Sequence, residues 1–217
     1  MLYYNSVDDL LKNCLKILMS ASLLQNFRLV GGTSLSLQIG HRKSVDIDLF
    51  SDATYGSIDF KEIENYLKST FPYIDSFSDL GPAMGKSYSI GTDEKNVVKL
   101  DLYYTDGFIQ QPIIADDNIR LATVEEIIAM KVDVVQRGGR KKDFWDLHTV
   151  LDHYSIEKML ELHLLRYPYG HDKDLIIKNF TNFRLADGDF DPICLHGKYW
   201  DFIKDDIKES VANYKKM

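Results

Sequence analysis

The sequence predicts an α+β fold: a mixed β-sheet flanked by helices, followed by a helical C-terminal region. Three observations predict it. Residues 27–50 read as strand, glycine turn, short helix and strand. Gly85 to Thr92 and Val97 to Tyr104 read as two strands joined through Asp93-Glu94-Lys95-Asn96, a hairpin. From Leu121 onward, apolar residues recur at helical rather than strand spacing almost to the end of the chain.

In chain order, Ser6 to about Leu24 reads as a helix, with Leu10, Leu11, Cys14, Leu15, Leu18 and Met19 at helical spacing. Phe27-Arg28-Leu29-Val30 can form a short buried strand. Gly31 and Gly32 let the backbone turn sharply and approach a ligand closely. Thr33 or Ser34 is placed to cap the helix running to Gly40, whose N-terminal N–H groups suit a phosphate. In Val45-Asp46-Ile47-Asp48-Leu49 the two carboxylates share one strand face and the apolar residues the other. Like charges so close need a cation or a proton, and carboxylates at this spacing suit Mg²⁺, an oxygen-seeking ion that also binds substrate phosphates. A phosphate cradle one short helix away from a metal-binding Asp-x-Asp describes a nucleotide site.

Asp59 to Thr70 reads as a helix burying Phe60, Ile63, Tyr66 and Leu67. In the second hairpin strand Asp101 is the only acidic residue, and Leu100 and Leu102 face the other way. Thr123 and Glu126 fit a capping box for a helix that runs to Arg137 and stops at Gly138-Gly139. Lys131 lies near the middle of that helix's apolar arc, a costly position unless the ammonium is paired, snorkels out, or meets a triphosphate. In the next helix, about Arg140 to Leu151, Asp143 lies within the arc set by Phe144, Leu147, Val150 and Leu151, with Asp146 at its margin. The helix dipole favours early carboxylates but does not account for an inward one. An inward Lys131 and an inward Asp143 can satisfy each other or a shared ligand. Ile156 to Leu165, Lys173 to Phe183 and Tyr199 to Tyr214 complete the helices, and residues 186–192 read as a surface loop without the spacing of a calcium loop.

Length and charge bound the rest. The 217 residues suffice for one substantial core, or one domain plus a helical extension, divided here as 1–151 and 152–217. No apolar run approaches the roughly 20 residues needed to span a bilayer, and no secretory signal is seen, so a cytoplasmic protein without membrane contact is expected. Cys14 and Cys194 make no disulfide framework. The net charge of −7 opposes indiscriminate nucleic-acid binding, although Arg137, Arg140, Lys141 and Lys142 form a local basic patch. His153, His163, His171 and His196 show no metal-ligand spacing. His41 and Arg42 can each contact phosphate, with Arg42 preferred.

The stretch GGTSLSLQIGHRKSVDIDLF resembles the first motif of the nucleotidyltransferase superfamily, the DNA polymerase β-like fold. His41-Arg42-x-Ser44 before the Asp-x-Asp narrows the resemblance to the AbiEii/AbiGii toxin branch, over roughly residues 25–151. The resemblance implies a metal-dependent transfer of NMP from an NTP to a hydroxyl. It makes Asp46, Asp48 and Asp101 the carboxylates for Mg²⁺ or Mn²⁺, and places Gly31, Gly32, Thr33, Ser34, Arg42 and Lys131 around the nucleotide. Lys131 and a late aspartate, Asp143 ahead of Asp146, complete the implied active site. It also implies a toxin acting on an RNA such as tRNA and a cognate antitoxin. Two alternatives stand beside it: a non-catalytic nucleotide- or partner-binding protein on the same fold, and an enzyme modifying a small hydroxyl compound. A dehalogenase-type phosphatase is excluded, because the residues before Val45 are not a buried strand.

Overall fold

The computed structural model describes residues 1–76 and 84–216. Helices are α1 (Asp9–Ser20), α2 (Gly31–Ile39), α3 (Phe60–Thr70), α4 (Val124–Gln136), α5 (Lys141–Val150), α6 (Ile156–Arg166), α7 (Lys173–Asn179) and α8 (Trp200–Tyr214). Strands are β1 (Arg28–Leu29), β2 (Asp46–Ser51), β3 (Tyr73–Ser76), β4 (Gly85–Asp93), β5 (Asn96–Tyr104), β6 (Ile113–Ile114) and β7 (Arg120–Leu121). They form one mixed sheet in the order β3-β4-β5-β2-β1-β7-β6, with β2–β5 and β1–β7 parallel and the remaining pairs antiparallel.

The period-two pattern of β2 and β5 decides which face does what. Ile47, Leu49, Leu100 and Leu102 are fully buried and pack with α1 and α3 in one apolar cluster. The other face of β2 turns Asp46, Asp48 and Phe50 toward α4 and α5. A second cluster joins Val30 and Leu35 to the buried faces of α4 through α8, including Phe144, Trp145, Trp200 and Val211. The carboxylates therefore sit at the seam between the sheet and the helical layer.

Local chemistry sets the boundaries. The expected first helix breaks into a 3₁₀ turn at Tyr4–Ser6, α1, and another 3₁₀ turn at Ser22–Leu24. Asp8 is extended and its carboxylate accepts the Leu11 N–H at 2.7 Å, which makes it the cap and starts the helix late. Asp59 caps α3 and Thr123 caps α4 as their types suggest. The α4 capping box is only half formed. The Glu126 carboxylate instead meets Arg166 at 2.6 Å and the Ile109 N–H at 2.7 Å, because a charged guanidinium outbids a neutral backbone donor. α4 ends where expected, with Gly138 and Gly139 at φ of 115° and 48°. α7 stops at Asn179, short of the expected Phe183. No helix among the described residues is long and apolar enough to cross a membrane.

Candidate active site

The site is built where β2, the start of α2, and the facing sides of α4 and α5 meet. α2 begins at Gly31, whose φ of 68° is a left-handed conformation that a side chain resists. A Cβ on Gly31 would lie 2.6 Å from Asp48 Oδ2, and one on Gly32 would strike the Arg42 guanidinium. Both glycines therefore bring bare backbone up to charged groups. Gly31→Ala is expected to lower stability by about 1–2 kcal/mol, the cost of a left-handed alanine, and to push Asp48 out of place. A urea titration together with a nucleotide-binding assay checks this.

Thr33 and Ser34 do not cap α2; Val30 holds the cap position, and no side chain bonds there. Both hydroxyls are buried. Thr33 Oγ1 donates to the Asp46 carbonyl at 2.5 Å and lies 2.7 Å from Ser44 Oγ, pinning α2 to β2, while Ser34 Oγ accepts from Gln38. The helix thus starts at least three residues earlier than its polar residues suggest, and it is Gly31 and Gly32 that line the cavity.

That cavity, of about 310 Å³, is lined by Gly31, Gly32, Arg42, Asp46, Asp48, Lys131, Lys142 and Asp143, with Phe50, Met130, Val134 and Tyr167 on its apolar side. Asp48 and Asp101 are direct register partners on adjacent parallel strands, and Asp46 pairs with Lys99. Burial first, then the charges of Asp101 and Asp46, push the Asp48 carboxyl up to about 6. Lys99 Nζ sits 2.5 Å from Asp101 Oδ2, and Lys142 Nζ 3.7 Å from Asp46. Asp101 Oδ1 is buried without a hydrogen-bond partner.

A divalent ion fits this set by two observations: the donors are all carboxylate oxygens, and one buried oxygen is unpartnered. As placed, no three His, Cys, Asp or Glu side chains among the described residues converge on a metal position. The two lysines stand close to the carboxylates instead.

Behind the cavity lies a buried charge cluster. Lys131 Nζ is 2.6 Å from Asp143 Oδ1 and 2.7 Å from Asp146 Oδ2. Asp143 Oδ2 also accepts the Arg140 N–H at 3.0 Å, so one carboxylate both caps α5 and holds the lysine. Asp146, expected at the margin, is at the centre and fully buried. It takes Arg42 in a two-pronged contact, Nε at 2.6 Å and Nη2 at 2.9 Å, and His41 Nε2 at 2.7 Å. Burial would raise its pKa, but Arg42 and Lys131 hold it well below the usual carboxylate range. Burial likewise disfavours the Lys131 ammonium, and Asp146 and Asp143 more than offset this, raising its pKa.

The Arg42 guanidinium, expected at a phosphate, is spent on Asp146 and the Lys43 carbonyl. Nor does the basic patch hold together. Arg137 pairs with Asp133 and Lys142 leans toward Asp46, while Lys141 turns away to Asp191 and the Asp189 carbonyl. The sequence ranks Asp146 second and does not show it as the centre of the cluster, because its partners, Arg42 and His41, lie over 100 residues away. A histidine and an arginine side by side before Asp-x-Asp are the available signal. A larger cavity of about 420 Å³ between α5 and α8 carries none of these carboxylate–lysine pairings.

A mixed sheet with a glycine-led helix and an Asp-x-Asp strand facing a lysine defines a nucleotidyltransferase-type fold. The family model described as "Nucleotidyl transferase AbiEii toxin, Type IV TA system" matches residues 14–214, and the chain belongs to this family. It is 24% identical over 212 residues to an uncharacterized protein of Aquifex aeolicus, covering 94% of this chain and 95% of that one. Its fold matches JHP933 of Helicobacter pylori with a TM-score of 0.61 at 19% identity, over 99% of this chain and 92% of that one. It also matches MenT4, a nucleotidyltransferase toxin of Mycobacterium tuberculosis, with a TM-score of 0.57 at 15% identity, over 94% and 84%.

Proposed function

We propose that the protein transfers NMP from an NTP to a hydroxyl acceptor and releases pyrophosphate. One observation carries this reading: a single cavity joins the Gly31-Gly32 turn, the Asp46/Asp48 face and Lys131. Asp46, Asp48 and Asp101 would hold Mg²⁺ or Mn²⁺, which supplies charge neutralisation at the attacking and leaving oxygens. Lys99 and Lys142, which reach these carboxylates from partly exposed positions, would have to yield them to the ion. The N–H groups of the Gly31-Gly32 turn receive the triphosphate, and Lys131, fixed by Asp143 and Asp146, faces its developing charge. The acceptor oxygen attacks the α-phosphorus as the bond to the β-phosphate oxygen breaks, and Asp101 Oδ1 takes the hydroxyl proton. Arg42 and His41 act through Asp146 rather than on substrate. Family membership supports a toxin of a toxin–antitoxin system, and its proposed acceptor is an RNA such as tRNA in the cytoplasm.

A second reading has its own observation. The lysine–carboxylate pairs already countercharge Asp101 and Asp46, as in a protein that binds nucleotide or a partner without turnover. Electron paramagnetic resonance of Mn²⁺ addresses the shared first step. Mn²⁺ with an NTP is expected to give a bound signal that vanishes in Asp46→Asn/Asp48→Asn. A signal unchanged in that variant removes the carboxylates from the site.

A further inference from the structure

The cavity has two chemically different ends. Strand residues two apart share a face, so the Asp46–Asp48 face of β2 continues to Phe50, about 7 Å beyond Asp48. The Phe50 ring is supported edge-on by Tyr103, with centroids 6.1 Å apart and planes at 62°. On the facing wall, α4 turns about 100° per residue. Lys131 therefore falls at one edge of its cavity face, Val134 and Met130 in the middle, and Arg137 and Asp133 at the other edge. The Asp46–Asp48 face and Lys131 supply the charge toward the glycine turn; Phe50, Met130 and Val134 supply the cavity's apolar lining, with the Asp133–Arg137 pair at the other edge of the α4 face.

Asp133 is built to stay ionised. Its side chain is only 15% exposed, Arg137 Nη1 donates to Oδ1 at 2.8 Å, and His163 Nε2 lies 3.6 Å behind it. Burial alone would raise its pKa, and the nearby His163 ring and the Arg137 guanidinium bring it below the usual value. An ionised carboxylate only accepts, and each oxygen keeps lone-pair capacity beyond its Arg137 bond.

We infer that the apolar end receives the nucleobase against Phe50, and that Asp133 selects bases carrying an exocyclic amino group over those with a carbonyl in its place. This rests on the nucleotide reading of the same site. An amino N–H donates to the Asp133 carboxylate. A carbonyl there sets two acceptors face to face and forfeits that bond, and one base-edge contact is worth about tenfold in affinity.

The test uses the full chain with Mn²⁺ and α,β-methylene analogues, which cannot be turned over. CTP is paired with UTP and ATP with ITP; each pair exchanges one amino group for a carbonyl and turns the neighbouring ring nitrogen into an N–H. The tightest ligand is expected to be an amino-bearing one, with its oxo counterpart about tenfold weaker. In Asp133→Asn the amide can donate to a carbonyl, so the gap should shrink below about twofold; Asp133→Glu keeps the carboxylate and should restore its direction. Phe50→Leu should weaken both members of a pair about equally, by roughly tenfold, through lost stacking. A gap that persists in Asp133→Asn, or a tightest ligand of the oxo kind, overturns the inference and leaves the nucleotide reading standing. Phe50→Leu binding like wild type overturns the base platform. Metal-dependent binding of no triphosphate removes the nucleotide reading and the inference with it. Matching thermal melts of all variants separate these outcomes from misfolding.

Discussion

Asp146→Asn is expected to destabilise the protein by about 3–5 kcal/mol, the usual cost of removing one partner from a buried ion cluster. The change is nearly isosteric, so lost packing contributes little. It leaves Arg42 and Lys131 buried with one fewer countercharge, and it turns an amide N–H toward a guanidinium or an ammonium, donor against donor. Asp143 retains Lys131, so the cluster loses its centre and not its rim. The pH dependence follows from the depressed pKa of Asp146. A carboxylate lowered in the folded state contributes stability that is fully present above the unfolded value near pH 4 and lost as pH falls through the folded one. Urea denaturation should therefore show the full gap between wild type and variant at neutral pH, closing only in strong acid. Equal stability at neutral pH would mean that Asp146 is held by geometry alone.

Asp46→Asn/Asp48→Asn is expected to lower nucleotidyl transfer by at least about a thousandfold while keeping or raising the melting temperature. Activity and stability part here because the wild-type carboxylates repel. Asp48 is raised to about 6, so the folded state binds its proton more tightly than the unfolded chain does. Between about pH 4 and that value, stability is lost as pH rises and Asp48 ionises beside Asp101 and Asp46. The variant carries no such penalty. Melting curves above pH 6 should place it level with wild type or above. A fall in melting temperature would make the carboxylates structural.

The elements with strong local signals were legible in the sequence. The β4–β5 hairpin, the alternation of β2, and α4 between Thr123 and Gly138 all follow from short-range chemistry. So did the pairing of an inward Lys131 with an inward Asp143, since twelve residues and one glycine break separate them. Long-range competition hid the rest. Thr33 looks like a cap from its neighbours, but Asp46 and Ser44 claim its hydroxyl across the strand–helix seam. Glu126 looks like half of a capping box until Arg166, forty residues on, takes its carboxylate. Nothing local to Arg42 shows that α5 folds over it and that Asp146 takes its guanidinium. A helical wheel ranks Asp146 as marginal because it sees one helix, and the burial of Asp146 is decided by α2's end and α4 together.

The most direct measurement follows two labels in parallel. Purified protein is given Mg²⁺, total cellular RNA, and the same NTP labelled at the α- or at the γ-phosphate. The account predicts α-label in the acceptor and γ-label in pyrophosphate, both lost in Asp46→Asn/Asp48→Asn. Gamma-label in the acceptor, or α-transfer that survives the double substitution, would contradict it.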